Sequence, residues 1–171
     1  MLVDGLRYDV SLQMPYLNQL RQEGAQATLT STPPSNAQTA WTTILSGADP
    51  QINGAPLFDP GDEWLSPIRV DHLFAAAGRA GLTSGISGSK RWEKLLPTES
   101  LYTKYFAAGK DDAADQQTTE HAVVFLSEFR PNLLLVHLQQ LEGVGVNWGG
   151  TSTVHSNPWV TVDALAVLNK N

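Results

Sequence analysis

The chain contains no cysteine, which excludes disulfides and thiolate metal sites and fits any redox compartment. It has no run of Lys or Arg, and its 11 basic residues are outnumbered by 17 acidic ones, for a formal net charge of −6. That balance argues against a nucleic-acid polymer or an anionic membrane surface as partner. No apolar stretch approaches the ~20 residues that a bilayer-spanning helix needs. No signal peptide is visible at the start, so the compartment is left open, as is the oligomeric state. There is no internal repeat and no convincing linker. What remains is 171 residues, 42% of them hydrophobic, enough for one domain with a real core.

Apolar patterning alternates between short runs and helical spacings. Met1 to Val3 reads as the stub of a strand. Met14, Leu17 and Leu20 stand at helical spacing over 14–23, with Gly24 as a stop. Residues 25–30 alternate and are rich in Thr, which predicts a strand. Residues 32–36 form a Pro-rich loop, from which a helix enters over 37–45. Residues 50–67 carry four prolines and read as a long surface excursion. A helix follows over 70–80, then a strand over 82–86 ending in a Ser/Gly turn. The longest helix is expected over 112–129. Residues 133–138 are apolar throughout, as suits a strand buried on both faces. Residues 143–150 hold four glycines and read as a loop, and a last helix is expected over 158–168. Strands alternating with helices predict an α/β fold with a mostly parallel sheet flanked by helices.

Two segments carry the chemistry. Asp4-Gly5 ends the first apolar run, where a strand gives way to a loop. Pro34-Ser35-Asn36 opens the helix that Ser46-Gly47 closes. In open α/β sheets ligands sit outside the carboxyl ends of the strands, and helix N-termini there attract anions. A carboxylate at such an edge can hold a divalent cation, which neutralises phosphate charge and activates an oxygen nucleophile. Asp4-Gly5 also reads simply as a turn.

Val3-Asp4-Gly5-Leu6-Arg7-Tyr8-Asp9, the stretch from Met14 to Gly24, the helix from Trp41 to Gly47 and the Pro50…Asn53-Gly54 element together resemble the type I phosphodiesterase/nucleotide pyrophosphatase family of the alkaline phosphatase superfamily. The block from Leu133 to Gly150 resembles the family's later metal-binding strand and loop. The likeness runs in order along nearly the whole chain. It does not reach the family's C-terminal part, which carries further metal ligands, so a partial alkaline-phosphatase-like domain is expected.

The resemblance implies hydrolysis of phosphodiesters, phosphomonoesters or nucleotide pyrophosphates through two divalent metals, zinc by family, and a covalent phospho-enzyme. The implied partner is a small phosphate ester. Asp4 would be a ligand of one metal and Glu142 of the other, or Glu142 is simply a solvated loop carboxylate. Val146 stands where the family has a histidine ligand and supplies no donor. Counting ten residues back from Gly47, where the family places its Thr or Ser nucleophile, gives Ala37, which has no oxygen. Ser35 is a substitute nucleophile only if its loop is remodelled, and otherwise a helix cap. Thr39 is rotated roughly 200° around the helix from Ala37. Asn36 and Trp148 are candidate substrate contacts. The chain is therefore expected to be impaired or inactive as a hydrolase. The alternatives are a non-catalytic module that binds a phosphorylated ligand, and a gene fragment without a function of its own.

Among the histidines, His137 reads as a core residue or a support for a ligand, His72 as structural and His121 as a surface residue. His155 is the one placed to swing toward the site. Trp41, Trp92 and Trp159 read as packing residues. Lys90-Arg91-Trp92-Glu93-Lys94 either faces an anion or is a solvated helix face.

Overall fold

The computed structural model describes residues 1–31, 33, 36–58, 61–152 and 163. The chain begins with β1 (Leu2–Val3), α1 (Tyr8–Ser11), α2 (Pro15–Glu23), α3 (Ala37–Ser46), α4 (Pro50–Asn53) and α5 (Leu73–Arg79). Then come β2 (Ser84–Ser89), α6 (Trp92–Leu95), β3 (Thr103–Ala107), α7 (Asp112–Val124), β4 (Leu133–Leu138) and α8 (Gln140–Trp148). The four strands form one sheet in the order β1-β4-β2-β3. Every pairing is parallel, with Leu2 opposite His137 and Ile86 opposite Leu135. All four carboxyl ends therefore lie along one edge, which collects Asp4, Lys90, Ala108 and Gln139.

β4 explains why residues 133–138 lack polar alternation. Leu133 and Leu135 pack with Trp41, Ile86, Phe74, Trp92 and Leu95, whereas Leu134, Val136 and Leu138 pack with Met14, Ala122 and Leu141. Successive side chains point to opposite faces, and each face has its own apolar cluster beneath helices.

Three expectations about local structure are corrected. Residues 25–30 form no strand, and Leu29 is exposed. Strand propensity depends on a paired, half-buried surface, and among the described residues this segment has no partner strand. The strand expected to stop at Ile86 runs on to Ser89, fully buried. Its glycines are there because neighbours cross over them: a Cβ at Gly88 would stand 2.6 Å from the His137 Cβ, and one at Gly85 2.6 Å from Thr103 Cγ2. The glycine-rich stretch expected as a loop is mostly helix, since α8 includes Gly143 and Gly145. A tertiary cap makes this possible. The buried carboxylate of Asp115 on α7 accepts from the amides of Gln139 (2.8 Å) and Gln140 (3.0 Å) at the start of α8. Gly143 also lies against the Lys110 carbonyl, where a Cβ would approach to 3.2 Å.

β3 carries no sequence signal that singled it out. The helix expected over 158–168 lies outside the described residues apart from Asp163. The Asp163 carboxylate accepts from the amides of Tyr16 and Leu17 (3.0 Å each) and so caps α2. The helix expected over 112–129 is found as α7 continued by one π turn, Phe125–Phe129.

Burial pushes the Asp115 carboxyl above its ordinary value of 3.8, against the pull of the two amides it caps. The folded state thus holds this proton more tightly than the unfolded chain does. Its contribution to stability is full below the ordinary carboxylate range and is lost as pH rises through the raised value. Urea unfolding across a pH series should show the native chain losing stability relative to Asp115→Asn as pH climbs from 3.8. A difference that stays flat or grows with pH would show that the two amides, and not burial, govern this carboxyl.

Candidate active site

The Asp4 amide donates to the Leu138 carbonyl at 3.0 Å, which ties the end of β1 to the end of β4. Gly5 then turns the chain with φ of +73°, and a Cβ there would lie 2.5 Å from the Glu142 amide nitrogen. Both the left-handed backbone and the close approach require glycine. This contact puts Asp4 and Glu142 at the same edge of the sheet, as each following an apolar strand leads one to expect.

The two carboxylates have different partners. Asp4 Oδ2 lies 3.0 Å from His137 Nε2, and the Trp41 indole N–H is shared between Asp4 Oδ1 (3.1 Å) and Oδ2 (3.2 Å). On its other side, His137 Nδ1 accepts from the Trp92 indole N–H at 2.9 Å. An indole nitrogen only donates, so Nδ1 carries no proton and the neutral ring donates from Nε2 to Asp4. Trp92, His137, Asp4 and Trp41 thus form one continuous hydrogen-bond chain. The indoles of Trp41 and Trp92 stack with centroids 4.7 Å apart, and the buried His137 ring stands edge-on to both. Glu142 Oε2 instead faces Lys110 Nζ at 3.5 Å.

α3 begins at Ala37 and is capped by Asn36, whose Oδ1 accepts from the Thr39 amide (3.0 Å) and hydroxyl (2.9 Å). Asn36 Nδ2 donates to the Pro56 carbonyl at 3.3 Å, so the candidate substrate contact is committed to the cap. The single proton of the buried Thr39 hydroxyl is shared between Asn36 Oδ1 and the Pro56 carbonyl, so the hydroxyl is turned away from the site as its rotation predicts. Ala37 lies one turn before Trp41, on the same helix face, and packs against the tryptophan cluster. The helix face that begins with Ala37 is therefore the one that reaches Asp4. The amides of Ala37 and Gln38 have no acceptor within the helix and favour an anion there.

Val146 is 79% exposed on α8, and Trp148 is exposed at its end. Ser35 and His155 lie outside the described residues. His72 accepts from the Ala75 amide and caps α5 (3.3 Å), and exposed His121 stacks on Tyr105 at 3.8 Å. A larger cleft of about 880 Å³ opens beside the neighbouring face of α3, among Gln38, Thr42, Phe58 and Trp64. Among the described residues no three His, Asp or Glu side chains gather as a metal-ligand set. A zinc site takes at least three protein ligands, and His137 Nε2 already serves Asp4. By themselves Asp4 and Glu142 offer a cation two carboxylates, fewer than a resident zinc takes.

What the sequence did not reveal is the polar role of the two buried tryptophans. Their indoles read as packing, and only the fold brings both N–H groups to one His–Asp pair. Replacing Trp92 with Phe keeps the ring and leaves Nδ1 of His137 buried without a donor, at a cost of about 1–3 kcal/mol. Long-range ¹H–¹⁵N NMR of His137 should show a single tautomer protonated at Nε2 in the native chain and lose that purity in Trp92→Phe. A native ring protonated at Nδ1 would break the proposed chain of donors.

The sequence pattern of the type I phosphodiesterase / nucleotide pyrophosphatase family matches residues 1–166. No curated protein matches the chain in sequence. Among solved structures, phosphonoacetate hydrolase of Sinorhizobium meliloti in complex with phosphonoacetate superposes with a TM-score of 0.75 at 18% identity, over 98% of this chain and 51% of that one. Murine ectonucleotide pyrophosphatase/phosphodiesterase 5 gives 0.77 at 16% identity, over 99% and 50%. An inactive threonine-to-alanine form of that murine protein, in complex with AMP, gives 0.76 at 17%, over 99% and 51%. At such identities the likeness is one of fold, and the chain spans about half the length of these structures. The parallel sheet, the Asp4 edge and the family match over nearly every residue agree: the chain belongs to the type I phosphodiesterase / nucleotide pyrophosphatase family.

Proposed function

We propose that this chain carries the family's phosphoesterase site in a form that binds a phosphate ester without turning it over through a covalent intermediate. The observation that supports this reading is Ala37 at the first position of α3, on the face that delivers Trp41 to Asp4. There the helix amides favour a phosphoryl group, but the side chain has no oxygen to attack phosphorus. The murine relative described as inactive with alanine in place of a threonine, yet in complex with AMP, is a precedent for binding without turnover. Val146, at the position where the resemblance expects a histidine ligand, weakens the second metal site in the same direction.

In this reading Asp4 is the one ligand kept in a prepared state. His137 and Trp41 fix its carboxylate by two N–H donors, in the manner of the supporting groups that orient metal ligands. A carboxylate offers about four lone-pair sites, so acceptor capacity remains for a cation. When bound, such a cation would supply charge neutralisation for the phosphate. Glu142 needs to leave Lys110 to share it, which an ion pair at 3.5 Å permits at small cost.

Loss of a nucleophile costs several orders of magnitude in rate, and cooperating catalytic groups fail together. Negligible hydrolysis of an aryl phosphodiester is therefore expected from the native chain with zinc or manganese supplied. Binding of AMP should be retained and should weaken in Asp4→Ala when followed by calorimetry with metal present. Robust metal-dependent turnover by the native chain, abolished in Asp4→Ala, would overturn the reading and assign the attack to another oxygen.

A further inference from the structure

The resemblance implies zinc, but the donors this chain brings to the Asp4 edge are of another kind. Zinc draws on thiolate and imidazole and takes at least three protein ligands. The chain has no cysteine. Val146, where the family has a histidine, supplies no donor. His137 is the imidazole that touches Asp4, and it is committed elsewhere. Its Nδ1 accepts the Trp92 indole N–H at 2.9 Å, so Nε2 carries the proton and donates to Asp4 Oδ2 at 3.0 Å. A neutral imidazole ligates through its one nitrogen lone pair, and in His137 the Trp92 indole occupies it. The His137 side chain is fully buried, so the ring is held in that arrangement.

What remains is oxygen. Asp4 is held by His137 and Trp41, yet its side chain is 14% exposed, so part of the carboxylate is open to solvent. Glu142 is paired with Lys110 at 3.5 Å. The chain thus offers one carboxylate, and a second when that pair opens. Carboxylate and water suit hard cations, whereas imidazole and thiolate suit zinc. Calcium takes about six to eight oxygens, far more than this edge supplies. Magnesium keeps several waters and is bound through one or two carboxylates together with the phosphate of a ligand.

We infer that the cation of the Asp4 site is magnesium, held by the Asp4 carboxylate and the phosphate of the ligand, with Trp92 keeping His137 out of coordination. The inference rests on the phosphate-ester reading above and departs from the zinc that the resemblance implies. The oxygens that the chain does not supply come from the ligand and from water. Cation and ligand then bind as a unit, each raising the affinity for the other by the same factor.

The test follows AMP binding to the whole chain by calorimetry with magnesium chloride, with zinc chloride and with a chelator, and follows His137 by long-range ¹H–¹⁵N NMR. Magnesium should raise AMP affinity about tenfold over the chelator, within the usual range of coupling between two ligands. Asp4→Ala should abolish that gain, and His137 should keep its proton on Nε2 throughout the magnesium titration. Zinc without AMP should show no saturable uptake that Asp4→Ala removes. Val146→His serves as a second variant. Its site is 79% exposed and stands one turn after Glu142 on the same helix face, so the core is untouched, and the added imidazole should create zinc uptake. Saturable zinc uptake by the native chain that is lost in Asp4→Ala, or that takes the Nε2 proton of His137, would overturn the inference and leave the reading of the site in place. AMP binding indifferent to magnesium would do the same. AMP left unbound under every condition would overturn that reading and the inference with it.

Discussion

Two indole N–H groups and one imidazole hold the arrangement of the sheet edge together. Trp92 donates to His137, His137 donates to Asp4, and Trp41 donates to the same carboxylate from α3. Four segments contribute one member each: the residue after β1 gives Asp4, β4 gives His137, α3 gives Trp41 and α6 gives Trp92. Hydrogen bonds in a buried setting are strong when fully satisfied and costly when one partner is lost. The polar chain therefore fixes where β1, the shortest strand, ends. It also fixes the rotation of α3, and so the position of Ala37.

Much of this was legible in the sequence because it was local or two-sided. The strand at 133–138 announced itself by continuous apolar residues, and its two faces now account for that. The helix from Ala37 was bounded by Asn36 and by Gly47, whose φ of +66° ends it. Asp4 and Glu142 came to one edge because both follow parallel strands. What failed did so where glycine serves contact and not turning. Gly88 clears the path of His137, and Gly143 sits against a carbonyl, and both read as loop signals. The cap that starts α8 belongs to Asp115, distant in sequence, and local spacing cannot announce it. The indole donors were hidden for a similar reason, since a buried tryptophan looks the same in sequence whether or not its N–H is employed.

On one side of the edge stand Asp4 and the α3 N-terminus, and on the other the Lys90–Lys94 segment that follows β2. Arg91 and Trp41 form the seam between them, the cation above the ring whose N–H points at Asp4. The Lys110–Glu142 pair ties the loop after β3 to α8 across the same edge.

β4 has a consequence for how this protein tolerates change in length. Odd residues of the strand serve the tryptophan cluster and even ones the Met14–Leu141 cluster. Substitutions of similar volume at either set alter one cluster only. A single inserted or deleted residue inside 133–138 would exchange the two sets, because a one-residue slip sends every side chain to the opposite face. His137 would then leave Asp4 and Trp92 together. The register of this strand, more than the identity of any one of its leucines, is what the site cannot lose.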